Sequence, residues 1–188
     1  MRRLALAALL ASLTAMTASA QTVDYFPDGV FGARTHAFVE GWYSRHLTAM
    51  GEPSLHAMRG RGRRAVRFLL LPTWGRPVAI RVEHGAGGVT LTRSQLSGSG
   101  GYDPGQLAAQ TTRTLRPEDW RAIEAALRDA RFFDQPVRSD LGRDGTQWIV
   151  EVVDGDRYHV VDRWTEDGTP RDAALARIGA LLTRLASP

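Results

Sequence analysis

The sequence predicts an α+β fold: an antiparallel sheet of about six strands with three helices in a single domain. Two patterns predict it. Three segments repeat apolar residues at three- and four-residue spacing, the period of an amphipathic helix. Six shorter runs rich in branched and apolar residues lie between them, bounded by Gly, Pro and Asp. Their order is one helix, four strands, one helix, two strands and one helix. Runs of strands broken by single helices indicate an antiparallel sheet with helices packed on one side.

The first helix is expected over 35–50, where Phe38, Val39, Trp42, Tyr43, His46, Leu47 and Met50 share a face and Gly51 and Pro53 end it. "RAVRFLLLP" (64–72) and "PVAIRVEHG" (77–85) follow as strands joined through "TWGR". "VTLTRSQL" (89–96) comes after the turn-forming "GAGG". "SGSGGYDPG" (97–105) is loop by composition, and "LAAQTTRTL" (107–115) is the fourth strand. The second helix spans 117–131. Pro117 suits its first turn, Glu118 and Asp119 complement the dipole, and Trp120, Ile123, Leu127 and Ala130 form the apolar stripe. The third covers 170–186, with Thr169 the expected N-cap and Leu175, Ile178, Leu181, Leu182 and Leu185 facing inward.

Residues 1–20, "MRRLALAALLASLTAMTASA", have the pattern of a secretory signal peptide. Arg2 and Arg3 precede a short apolar run, and small residues sit before a cleavage point after Ala20. The run is too short to span a bilayer, so no transmembrane segment is expected. The remaining chain, 21–188, suits one domain and can form a core without staples. There are no cysteines, which removes disulfides, thiol nucleophiles and cysteine-bound zinc. All 24 basic residues are arginine. Without Arg2 and Arg3, 22 arginines face 20 acids. Residues 21–99 hold ten arginines and five acids, and residues 100–188 twelve and fifteen, an asymmetry that predicts a basic and an acidic face.

"DGTQWIVEVVDGDRYHVVDRW" (144–164) concentrates the residues able to do acid/base chemistry: Glu151, His159 and Asp144. A two-residue turn at Asp154-Gly155 sends Glu151 and His159 to opposite faces, because side chains alternate along a strand. A loop one residue longer, Val153 to Gly155, would bring them to one face. The first register places Trp148, Val150, Val152 and Val161 on one side. Ile149, Val160, Tyr158, Trp164, Glu151 and Asp162 then fall on the other, so neither face is purely polar and both are expected to be partly covered.

Elsewhere, catalytic signatures are absent. No two of His36, His46, His56, His84 and His159 have the spacing of a helical zinc site, and G-x-S-x-G does not occur. No phosphate-cradling glycine motif precedes a helix, so no cofactor and no metal is expected. "RGRGRRAVR" (59–67) is an arginine cluster in which Arg63 and Arg64 form a candidate anion patch, since guanidinium pairs bidentately with phosphate. The leader argues against nucleic acid as its partner. In "PTWGRP", Trp74 and Arg76 are candidate contact residues, with Tyr102 of "GGYDPG" beside them.

Residues 28–42, "DGVFGARTHAFVEGW", resemble the start of a small helical peptidoglycan-binding repeat, with Asp28, Gly29, Phe31, Gly32 and Thr35 at matching positions. The repeat's second D-G-x-x-G does not follow. A broader resemblance rests on "RFLLLPTWGRPVAIRV" (67–82), "GGYDPG" (100–105), "DGTQWIVE" (144–151) and "RYHVVDRW" (157–164). In that order they are similar to a group of small exported bacterial proteins without an assigned activity. The resemblance implies an exported single domain and carries no catalytic residue across. The expectation is a periplasmic or secreted, non-catalytic cell-envelope module whose partner is an envelope protein, a glycan or an anionic ligand. The alternatives are an envelope hydrolase using Glu151 with His159 or Asp144, and peptidoglycan binding through 28–42.

Overall fold

A computed structural model describes residues 23–32, 36–138 and 142–187. The leader, 1–20, lies outside the described residues, as does Thr35. Three helices and six antiparallel strands form one body: α1 (His36–Ala49), β1 (Arg64–Pro72), β2 (Val78–Gly85), β3 (Gly88–Leu96), β4 (Leu107–Leu115), α2 (Pro117–Asp129), β5 (Thr146–Asp154), β6 (Arg157–Thr165) and α3 (Ala173–Ala186). Two single 3-10 turns, His56–Met58 and Phe132–Asp134, were not foreseen from the sequence. The strand order is β4-β3-β2-β1-β5-β6, so β1 sits inside the sheet, paired with β2 on one side and β5 on the other.

The helices are not all on one side, which corrects the expected arrangement. On one face α2 and α3 cover Val66, Phe68, Ile80, Val82, Trp148, Val150, Val152 and Val161. On the other, α1 and the N-terminal stretch cover Leu69, Leu71, Ala79, Leu96, Ile149 and Val160. The physical reason is visible in β1: "RFLLLP" is nearly continuously apolar instead of alternating, and a strand of that kind must be buried on both faces. Six of its nine residues are buried, including both Val66 and Leu69 at zero exposure.

The N-terminal stretch completes the second face with an aromatic cluster. Phe26 lies 5.1 Å from Phe31 and 6.2 Å from Tyr43 between ring centroids, and Phe31 meets Tyr43 edge-on at 5.4 Å. Val39, Tyr43 and Leu47 of α1, and Met50 just after it, are buried as expected, whereas Phe38 remains 74% exposed. Helix α3 starts later than its periodicity suggests. Its N-cap is Asp172, whose Oδ1 accepts from the backbone N–H groups of Ala174 (3.0 Å) and Leu175 (3.2 Å). Thr169, the expected cap, instead accepts at its carbonyl from the Thr165 hydroxyl.

The β5–β6 hairpin turns one residue later than Asp154-Gly155. Asp154 pairs with Arg157, so the loop is Gly155-Asp156, with Gly155 at φ +61° opening it in the manner of a type II′ turn. The shift moves both strands together, so the division of side chains between the two faces is the expected one. The sheet's two edges differ. Along β6, residues 137 and 138 lie against Asp162 and cover that edge. Along β4, every residue from Leu107 to Thr114 is exposed, and Leu115 alone is buried.

Helix α3 packs closely enough that Gly179 has no room for a side chain: a Cβ there would overlap the Trp148 ring. Alanine is the better helix former by roughly 1 kcal/mol. Gly179→Ala should nevertheless lower stability by about 1–3 kcal/mol through overpacking, read by urea unfolding. A stabilised variant would show that the helix can move off the tryptophan at no cost.

Candidate functional site

Three groupings of polar and aromatic side chains stand out, two inside the protein and one on its surface. The largest internal one lies between the sheet and α1. Arg67 and Glu151 face each other across β1 and β5, and both are fully buried. Arg67 donates from Nε (2.8 Å) and Nη2 (2.5 Å) to the same Glu151 oxygen, and from Nη1 to the Pro53 carbonyl (2.7 Å). Tyr158 donates to the other Glu151 oxygen at 2.9 Å. Glu52, just after α1, sits 3.6 Å from Arg67 and accepts from Arg81 Nε at 2.8 Å. The Tyr25 ring lies under the Arg67 guanidinium at 5.8 Å. Every polar atom of the pair is engaged.

Burial pushes the Glu151 carboxyl upward, with Arg67 and Tyr158 pulling it back. Burial also works against the Arg67 charge, and Glu151 and Glu52 more than offset it. A raised glutamate can mark a general acid. Here its oxygens are saturated by hydrogen bonds and shielded from solvent, so no reacting group can reach them.

A smaller cluster surrounds Asp162 on the same face. Tyr43 donates to its Oδ2 at 2.9 Å, Gln147 donates to its Oδ1, and Arg138 approaches at 3.3 Å. Burial raises this carboxyl, and the Gln147 and Tyr43 hydrogen bonds oppose the rise. The cluster ties α1, β5, β6 and the segment along the β6 edge into one unit.

His159 points to the opposite side of the sheet from Glu151. Its Nε2 donates to the Gln135 carbonyl at 2.8 Å, and its ring packs against Phe132 and Phe133. The two side chains therefore diverge, and the Glu151–His159 dyad of the hydrolase reading does not form. Asp144 is exposed in the loop before β5 and is not brought to Glu151. Among the described residues, no three His, Asp or Glu side chains converge as metal ligands.

The third grouping is at the end of the sheet where β1 meets β2. Trp74 and Tyr102 are 75% and 54% exposed, and their rings lie 5.3 Å apart. The loops carrying them are tightly held. Gly100 donates to the Gly75 carbonyl (3.0 Å), Ser99 Oγ to the Thr73 carbonyl (2.5 Å) and Thr73 N–H to the Gly145 carbonyl (2.8 Å). A Cβ on Gly100 would come within 2.7 Å of the Leu71 backbone, which explains why this loop is glycine-rich. Trp42 of α1 braces it from below, donating Nε1–H to the Gly100 carbonyl at 2.8 Å. A broad groove runs from Tyr102, Asp103 and Pro104 along the small residues Gly41, Ser44 and Thr48 of α1. Arg76 is exposed on the Trp74 loop.

Arg63 and Arg64 sit at the other end of the sheet, so the expected contact residues divide between two places. Both arginines have acidic partners: Arg63 meets Glu83 at 2.5 Å, and Arg64 meets Asp154 at 3.2 Å and also Glu124. Asp28, Gly29 and Gly32 belong to a turn whose Phe31 is buried in the aromatic cluster. No helix of the described residues is long and apolar enough to cross a membrane. No family model matches the chain, and no curated protein matches it.

The buried pair was legible in retrospect: Arg67 and Glu151 are single charges set inside apolar strands, at positions where the alternation points inward. Their partners Glu52 and Tyr158 come from elsewhere in the chain and carry no such mark.

Two predictions follow from these geometries. Arg67→Met leaves Glu151 buried without its cation and should cost about 3–5 kcal/mol in urea unfolding, whereas Arg67→Met/Glu151→Leu should recover much of the loss. Equal losses in both would locate the stabilisation elsewhere. His46, on α1 beneath the Ser99–Asp103 loop, is fully buried and donates Nδ1–H to the Trp42 carbonyl at 2.8 Å. Burial holds it below 6.5, and Arg45 adds to this. The Trp42 and Ser99 carbonyls and Asp103 oppose it. A depressed folded pKa gives stability that is complete above about 6.5 and declines as pH falls below it. The stability of wild type relative to His46→Asn should therefore decrease between pH 7 and pH 5, and a constant difference would exclude His46 as the titrating group.

Proposed function

We propose that this protein is an exported, non-catalytic cell-envelope binding module that meets its partner through the Trp74–Tyr102 end of the sheet. The observation that carries this reading is the aromatic pair itself. Two large rings stand mostly in solvent, in contact with each other, on loops fixed by backbone hydrogen bonds. Solvating such rings is unfavourable, and holding them rigid lowers the ordering cost of binding. Trp, Tyr and Arg are the residues on which binding energy concentrates, and Arg76 lies on the same loop. The groove beside Tyr102 extends this surface along α1.

Glu151, Glu52 and Asp162 are enclosed and hydrogen-bonded, so these three carboxylates serve the fold and are not accessible as general bases. The leader pattern of residues 1–20 supports placing the domain in the periplasm or outside the cell. An envelope protein or a glycan strand suits two adjacent aromatic faces better than a small anion does.

Tagged wild type and Trp74→Ala/Tyr102→Ala should be compared as baits for gently crosslinked native envelope, with the captured component then titrated against purified protein. The aromatic variant is expected to lose the component and to bind it at least about tenfold more weakly, as for a truncated hot spot. Undiminished capture by the variant would move the binding surface elsewhere. Turnover of the component by the wild type would overturn the non-catalytic assignment.

A further inference from the structure

A second site lies at the opposite end of the sheet, on the face covered by α2. Between the C-terminal half of α2, the 3-10 turn Phe132–Asp134 and the turn end of β5 and β6 is a cleft of about 410 Å³. That volume is within the range of small-molecule sites. Its accessible apolar surface comes from Leu127 and Phe133, which are part-exposed, backed by the buried side chains of Val66, Val152 and Phe132. Trp120 forms one wall, and its buried indole N–H has no acceptor among the described residues.

The rim is cationic once its ion pairs are assigned. Seven charged residues line the cleft: Arg64, Arg128, Arg131 and Arg157 with Glu124, Asp134 and Asp154. Arg64 engages both Glu124 and Asp154, and Arg131 engages Asp134 at 3.2 Å. Arg128 and Arg157 have no carboxylate partner among the described residues. Arg157 instead lies over the Phe133 ring at 3.6 Å, held by cation–π attraction with its donors free for a ligand.

Arg131 adds a separate indication. It follows α2 in the left-handed conformation (φ +46°, ψ +48°), the one non-glycine residue among those described with positive φ. Glycine is the usual occupant of that position, because any Cβ there is disfavoured. An arginine in that conformation at the lip of a cleft is local backbone strain of the kind that clusters at binding sites.

We infer that this cleft binds a small amphipathic anion, with an apolar chain or ring against Leu127 and Phe133 and one carboxylate or phosphate between Arg128 and Arg157. Guanidinium forks match both head groups, and the apolar floor rejects a fully hydrated ion. The ligand class follows from the pairing of two uncommitted guanidinia with an apolar slot, and does not depend on the Trp74–Tyr102 surface.

The test is calorimetric titration of the purified protein with laurate, with dodecyl phosphate and with dodecyltrimethylammonium, each below its micelle concentration. Saturable binding of one or both anions is expected, with the ammonium at least about tenfold weaker. A preference for laurate identifies a carboxylate head, and a preference for dodecyl phosphate a phosphorylated one. Arg128→Ala/Arg157→Ala alters exposed side chains and should weaken the anions at least about tenfold. Arg131→Gly relieves the left-handed backbone and should raise the melting temperature, while the anions weaken far less than in the double variant, because Arg131 is already paired with Asp134. No saturable binding of either anion, equal binding of the ammonium, or unchanged affinity in the double variant overturns the inference.

Discussion

The contact on which the rest of the structure depends is the buried ion pair between Arg67 and Glu151. It lies where two interior strands, β1 and β5, meet, and each charge would be very costly to bury alone. Its geometry dictates what surrounds it. The second carboxylate oxygen needs Tyr158, the spare guanidinium nitrogen needs the Pro53 carbonyl, and the excess of donors is met by Glu52. Those partners come from β6 and from the connection after α1, so satisfying one pair draws in α1, β1, β5 and β6 together. Hydrophobic burial supplies most of the stabilisation. The charges select which arrangement of the same apolar faces is accepted, because any other register leaves one of them unpaired.

The same division separates the buried polar groups from the accessible surfaces. Covering both faces of the inner strands leaves the strand ends, the loops and the exposed edge strand β4 open to solvent. The aromatic pair lies at one end and the arginine-rimmed cleft at the other, joined by strands too tightly packed to host a reacting molecule. The polar residues in the interior resemble a catalytic set in composition and differ from one in access. Glu151 has the raised carboxyl of a general acid but no path to solvent, and His159 is on the far side of the sheet.

Local pattern was enough to define the strands and the three helices, because each rests on apolar spacing within a short window. β1 and β4 end where their composition changes, and α2 begins at Pro117 as its first-turn chemistry requires. Features set by distant residues were less visible. The two-sided packing depended on where α1 folds back. At the β5–β6 turn two local preferences compete, Asp-Gly for a type I′ turn and Gly first for a type II′ turn, and the chain takes the second at Gly155-Asp156. Trp74 and Tyr102 could be singled out as exposed-looking aromatics, but their contact arises from two loops brought together by the close approach of Gly100 to the β1 backbone. The cleft beside α2 had no sequence signature, because its lining comes from β1, α2, the following 3-10 turn and the β5–β6 hairpin.

The strand order has a kinetic meaning. β1 through β4 form a meander of adjacent hairpins that can zip up locally, but the other side of β1 waits for β5, which follows after β2, β3, β4 and α2 have been made. Contacts so far apart in the chain are slow to close. A chain that emerges N-terminus first therefore passes through a stage with an unpaired central strand and an arginine still lacking its glutamate. A central strand without β5 presents a long apolar edge, the kind that associates with other chains. Even once β5 has paired, the core is open on one face, because α3, the last element of the chain, still has to add Leu175, Ile178 and Leu182 to it.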